Sequence, residues 1–160
     1  MQVLYLVIID MSKRKQAKKG SGKCPVAFAL DIFGDKWSLI ILRDMLFKGK
    51  RHYGEFLNSS EKISTNILAN RLDKLESEGL VVKTQDTENL SRFVYSLTDK
   101  GKDLLPLLLE MVEWGVKYDP QPGIPDNIIT GAPARLLERS CEKRDALIAE
   151  ILSKLEESSE

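Results

Sequence analysis

Ser64, Thr65, Asn66, Ala69, Asn70 and Lys74 recur at a spacing that gathers them on one side of a helix. Asn can form two hydrogen bonds with adenine, Thr can meet the thymine methyl, and Lys suits phosphate. Further along, Arg92 offers a planar guanidinium that fits either a phosphate or a minor groove. Lys50, Arg51 and His52 stand together upstream and could also meet backbone phosphates. The chemistry implied is recognition of double-stranded DNA, with no bond made or broken. Plainer readings stay open: a solvated helix face has a similar composition, and Arg92 could pair with Asp86 or Glu88. Asp73, being acidic, is expected to point aside.

Bond-making chemistry has no comparable set of residues. There is no nucleophile elbow, phosphate loop or metal-ligand spacing, and carboxylates are scattered over helix faces. His52 is the single histidine, and Cys24 and Cys141 lie far apart, so neither a histidine metal site nor a disulfide framework is expected. No enzyme activity, metal or cofactor is anticipated. Cys24 could be a reactive thiol, since free N–H groups at a helix start favour the thiolate, or a small packing residue. Cys141 falls on an apolar stripe and is expected in the core. Phe33, Trp37 and Trp114 could line a ligand cavity or simply pack.

The elements that must hold these side chains are readable from periodicity. Ile63, Ile67, Leu68, Leu72 and Leu75, with Arg71 beside them, form the apolar side of the helix that carries the polar face. Ser64 is a good N-cap, and Gly79 can stop the helix by turning left-handed. Residues 80–84 and 93–97 are rich in β-branched and aromatic side chains around a polar tip, which predicts a hairpin. A helix running straight into a hairpin predicts the recognition helix and wing of a winged helix-turn-helix.

Upstream, Pro25 opens a first helix that ends at Gly34, and Asp35 caps a second over 36–47 that Gly49 ends. A short helix over 52–57 and a turn over 58–62 complete the helix, turn, helix order. Downstream, Thr98-Asp99 should cap one long helix over 100–118, kinked at Pro106 and apolar nearly all round. Residues 119–133 form a Pro/Gly-rich linker. A final helix over 134–155 carries Leu137, Cys141, Ile148, Ile151 and Leu155 along one stripe. That stripe and the all-round apolar helix call for a second subunit. The expected fold is therefore mainly α with a small β-hairpin (α+β), a winged helix-turn-helix with added N- and C-terminal dimerisation helices. The expected parts are a basic flexible segment 1–23, a DNA-binding domain 24–118, and a linker with its helix over 119–160.

Bulk numbers agree. The 160 residues are 42% hydrophobic and 30% charged, as for a folded domain with a real core, and formal net charge is zero. Lys13, Arg14, Lys15, Lys18, Lys19 and Lys23 cluster without an acid, which can add phosphate contacts or be only a solvated tail. Residues 1–10 are apolar but too short to span a bilayer, and positive charges follow them rather than precede them, so a cytoplasmic protein without membrane association is expected. Whether Met1 or Met11 is the start is left open.

The segments CPVAFALDIFGDKWSLIILRDML, HYGEF, ISTNILANRLDKLESEGLV and RFVYSLTDKGKDLLPLLLEMVEWG, in this order over 24–115, resemble the HxlR-type transcriptional regulators, relatives of the MarR group. The leading Cys-Pro, the Gly-x-Lys-Trp and the Tyr-x-Leu-Thr-x-x-Gly elements carry the resemblance. It implies a homodimer of winged helices that represses or activates transcription, often on a chemical signal such as a small-molecule effector. It also implies Arg92 as the wing arginine and Cys24 as a thiol-sensor position. The competing reading is a winged-helix module that binds protein and not DNA.

Overall fold

The computed structural model describes residues 24–119 and 141–157, the latter by backbone alone for 141–144. The readings placed on the basic segment 1–23, the linker, Leu137 and the Cys141 side chain lie outside the described residues. The chain divides at Ile32/Phe33 into two compact units. In the first, helix α1 (Pro25–Phe33) starts with proline in its opening turn, where a missing N–H costs nothing, and leaves Val26, Phe28 and Leu30 exposed.

The second unit begins with helix α2 (Lys36–Lys48). Asp35 caps it, accepting from the Ser38 N–H at 3.0 Å and the Ser38 hydroxyl at 2.6 Å, and Gly49 closes it at φ 64°. Ile41, Leu42, Met45, Leu46 and Phe47 are buried along its length. The short helix α3 (Tyr53–Leu57) sinks Phe56 into the same core and begins after His52, not with it. A turn then leads to α4 (Thr65–Ser77), capped by the Ser64 hydroxyl. Lys62, within that turn, is held at φ 54°, an uncommon conformation for a side chain with a Cβ. Leu68, Leu72 and Leu75 bury the inner face of α4, which packs on α2.

Gly79 at φ 70° turns the chain into strand β1 (Val81–Gln85), one residue later than expected, and β2 (Phe93–Leu97) returns antiparallel. Val81 pairs with Leu97, Lys83 with Tyr95 and Gln85 with Phe93. The expected winged helix-turn-helix is thus formed.

The expected long helix over 100–118 is two helices. A turn of helix, α5 (Asp99–Lys102), ends at Asp103-Leu104, and α6 (Leu105–Tyr118) starts afresh. Pro106 therefore sits in the first turn of α6, where its ring and absent N–H are tolerated, instead of kinking a continuous helix. Thr98 seats α5: its hydroxyl accepts from the Gly101 N–H at 3.1 Å and donates to the Gly79 carbonyl at 2.7 Å. Gly101 packs so closely on Leu80 that a Cβ there would run into the Leu80 carbonyl oxygen. Nor is α6 covered all round. Leu105, Leu108 and Leu109 are buried, whereas Leu107, Met111, Trp114 and Tyr118 are exposed.

Helix α7 (Cys141–Glu157) packs against α2 of the same chain. It buries Leu147 and Ile151, and Lys102 reaches Glu156 at 3.1 Å. Leu147 and Ile151 thus find a partner inside the monomer, while Ile148 and Leu155 of the expected stripe are half-buried. Leu147, absent from the expected stripe, lies one helical turn before Ile151 and shares its face.

Candidate nucleic-acid interface

The polar face of α4 stands in solvent. Ser64, Thr65, Asn66, Ala69 and Asn70 are all exposed. The Ser64 hydroxyl is occupied in capping, accepting from the Ile67 N–H at 3.4 Å, and the Tyr53 hydroxyl donates to the Thr65 carbonyl at 2.8 Å. Those two contacts fix the start of the helix while leaving the Thr65 and Asn66 side chains outward. Asn70 accepts from Arg71 Nη1 at 2.5 Å, which fixes its amide and leaves the NH₂ group to donate. Asp73 is exposed as well, one turn beyond Ala69 and Asn70.

Lys74 is placed differently. It is half-buried with Nζ 3.7 Å from Asp35 Oδ2, turned toward the cap of α2. Arg71 meets the same carboxylate at 2.8 Å. Burial alone would raise the Asp35 carboxyl, but hydrogen bonds from Ser38 and Arg71 outweigh it and hold the group below its ordinary value.

The three residues upstream of α3 are engaged too. Lys50 Nζ donates to Asp44 Oδ2 and to the Ser59 hydroxyl, each at 2.7 Å. Arg51 Nη2 reaches the Ser96 hydroxyl at 3.2 Å, and the Arg51 carbonyl accepts the Tyr95 N–H at 2.8 Å. His52 bridges Val94 backbone to backbone, and its Nδ1 is buried without a hydrogen-bond partner. Residues 50–52 thus lie as a strap between the helical core and the wing.

At the inner end of the strap is a charged centre that sequence reading missed. Asp44 is fully buried on α2, with a side chain only 1% exposed. Its Oδ1 accepts from Arg43 Nη2 at 2.6 Å and pairs with Lys48 Nζ at 3.2 Å. Its Oδ2 takes Lys50 and the Ser59 hydroxyl. Arg43 continues to Glu61, so α2, the strap and the turn before α4 are joined through one carboxylate. Desolvation pushes the Asp44 carboxyl up, but the hydrogen bonds from Lys50, Ser59 and Arg43 prevail and lower it to about 2. The Arg43 hydrogen bond likewise holds Glu61 at about 2 against its partial burial. An acid within the apolar run LIILRDMLF was the available signal, because a charge inside an apolar helix face needs partners.

Arg92 differs from the other cations. It is exposed just before β2, and no hydrogen bond or ion pair to a described residue holds its guanidinium. Asp86 instead accepts the Glu88 N–H at 2.9 Å and the Asn89 N–H at 3.3 Å, closing the tip of the wing. Between α3 and β2 lies a solvent-open cleft of about 600 Å³, lined by Tyr53, Glu55, Arg92 and Phe93 among others. Of the aromatics expected to line a cavity, Trp114 is 67% exposed and lies 5.1 Å from the Tyr118 ring, while Trp37 lies under Lys36. Cys24 is exposed at the N-terminus of α1. Among the described residues no group of His, Cys, Asp and Glu could hold a metal ion, and no helix is long and apolar enough to cross a membrane.

A helix entered through a tight turn, with its outer face polar and an antiparallel hairpin directly after it, defines a winged helix-turn-helix transcriptional regulator. The chain belongs to the HxlR-like helix-turn-helix family, which it matches over residues 32–122. It is 34% identical over 108 residues to the HTH-type transcriptional regulator sll1512 of Synechocystis sp., covering 68% of this chain and 79% of that protein. It is 35% identical over 105 residues to YybR of Bacillus subtilis, covering 66% and 83% respectively. Among solved structures, the redox regulator HypR in its oxidized form is similar, with a TM-score of 0.55 and 32% identity over 61% of this chain and all of that one. A protein of the MarR family from Porphyromonas gingivalis W83 aligns with a TM-score of 0.54 and 31% identity, over 66% of this chain and 99% of its own.

Proposed function

We propose that this regulator binds double-stranded DNA sequence-specifically in the cytoplasm, as a homodimer on a two-fold symmetric operator. The observation that carries the reading is the combination of an outward Thr65 and Asn66 on α4, and an Asn70 whose oxygen is held by Arg71 while its NH₂ stays free to donate, with a wing Arg92 that no described residue holds. The first turn of a recognition helix is the part that reaches base edges, while a wing arginine meets phosphate or minor groove. A protein-binding module would not need an amide-bearing helix face and an exposed wing arginine together. Ser64 caps α4, and Lys50, Arg51 and Lys74 brace the scaffold through their internal partners.

The dimer rests on α6. Leu107, Met111, Trp114 and Tyr118 recur every three or four residues, so one apolar stripe runs in solvent along the whole helix. A second copy supplies a like stripe, and two-fold symmetry then spaces the recognition helices about one DNA turn apart. The division into a DNA-binding part over 24–118 and an appended part over 119–160 goes with this reading. The test is a gel shift and footprint with the DNA upstream of the protein's own gene, together with the mass in solution. A two-fold footprint by a dimer is expected; a monomeric mass at micromolar concentration, or no retarded duplex, overturns it.

A second reading concerns the signal. Cys24 is exposed at a helix N-terminus, and a similar protein of known structure, HypR, is a redox regulator. Oxidants should then modify Cys24 before Cys141 and change DNA affinity, and Cys24→Ser should bind DNA yet lose the response. Equal inertness of both thiols by mass spectrometry overturns the redox reading.

A further inference from the structure

Glu55 is an exposed acid on the DNA-facing side, lining the same cleft as Arg92. A carboxylate there repels phosphate, so its presence needs a compensating use. Its Oε2 turns back to accept two backbone N–H groups of the strap, Arg51 at 2.7 Å and His52 at 2.8 Å. The opposite edge of that strap holds the wing: the Arg51 carbonyl takes the Tyr95 N–H, His52 bridges Val94, and Arg51 Nη2 reaches Ser96. At the strap's head, Lys50 is locked to the buried Asp44 and to Ser59 in the turn before α4. One extended segment therefore ties the recognition helix's turn to the return strand of the wing, and Glu55 holds its middle.

We propose that Glu55 is the positioning residue for the wing. By fixing the strap it sets the direction in which the hairpin leaves the body, and hence where Arg92 lands relative to Asn66. The proposal rests on the reading of α4 and Arg92 as the DNA-binding surface. Its sign separates it from simple electrostatics. If Glu55 acts only as a negative charge near phosphate, Glu55→Ala and Glu55→Gln should tighten DNA equally. If it positions the wing, Glu55→Ala weakens DNA, while Glu55→Gln keeps an acceptor oxygen for the strap and restores much of the loss.

The experiment uses the full chain and a duplex selected by the wild-type protein from a random-sequence pool. Glu55→Ala should bind it on the order of tenfold more weakly, the scale of a lost charge-assisted hydrogen bond. Glu55→Gln should fall between that variant and the wild type. The combination with Arg92→Ala should lose less than the sum of the two single losses, because a misaimed wing already wastes Arg92. Amide exchange at Tyr95 should speed up in Glu55→Ala, with the rest of the core protected. Equal or tighter binding by both variants, additivity with Arg92→Ala, or an unchanged Tyr95 exchange rate would each overturn the proposal. Failure of the wild type to select any duplex overturns the DNA reading instead, and the Tyr95 exchange rate then still decides whether Glu55 holds the wing.

Discussion

Replacing Asp44 by Asn tests whether one buried carboxylate holds the helix-turn-helix together. The change keeps the side chain's shape and removes its charge, leaving Arg43, Lys48 and Lys50 around a neutral amide. The carboxyl lies at about 2 in the folded chain against an ordinary 3.8, a difference that corresponds to about 2 kcal/mol of stability. Leaving clustered cations without their counter-charge adds to this, so a loss of about 2–4 kcal/mol is expected at neutral pH. A folded-state value below the unfolded one means that the contribution is fully present above about pH 4. It disappears as pH falls toward 2, where the folded group also protonates. Urea unfolding of the two proteins across that range should thus show a wide gap at pH 7 that closes on acidification. A variant within about 0.5 kcal/mol of the wild type at pH 7 would refute the reasoning, because surface changes alone stay within that range. So would a gap that persists unchanged at low pH.

Three further substitutions probe the surface and its support. Asn66→Ala should cost about 1–3 kcal/mol of DNA binding and relax preference at one base position, measured by binding to a panel of operator variants. Arg92→Ala should weaken all sequences more evenly and lower the salt slope by about one unit per lost phosphate contact; affinity unchanged across salt concentrations would count against it. Gly101→Ala drives a Cβ into the Leu80 carbonyl, so urea unfolding should show a loss of at least about 1–3 kcal/mol. An unchanged midpoint would mean that α5 can shift away from Leu80 without cost.

The recognition helix and wing were legible in the sequence because each is set by local rules. The spacing from Ile63 to Leu75, the Ser64 cap and the left-handed Gly79 act within a few residues of one another, and they placed α4 and its polar face correctly. The break at Asp103-Leu104 was misread for a similar reason. Proline in the middle of an apolar run resembles a kink, and only the seating of Gly101 against Leu80, a contact across about twenty residues of chain, shows that the helix ends first. The partner of α7 was likewise invisible. An apolar stripe announces that something covers it, and α2, about a hundred residues earlier, is named by no local pattern.

The candidate site divides along the same line. Thr65, Asn66, Asn70, Arg92, Lys50, Arg51 and Lys74 are alike to a sequence reader, since each is a hydrogen-bonding or cationic side chain near a predicted groove. What separates them is whether an acceptor waits elsewhere in the chain. Asp44 and Ser59 take Lys50, Ser96 takes Arg51, and Asp35 takes Lys74. These partners stand six to forty-five residues away. Turning three half-buried cations toward partners in the chain has a consequence for the proposed recognition. On the proposed reading, the outer face of α4 would then meet base edges mainly through the Thr65 hydroxyl and the Asn66 and Asn70 amides, with little positive charge to bind phosphate. On that reading, in a chain of zero formal net charge, such a surface would favour discrimination between sequences over indiscriminate affinity, and the aim of the wing would matter more than its charge.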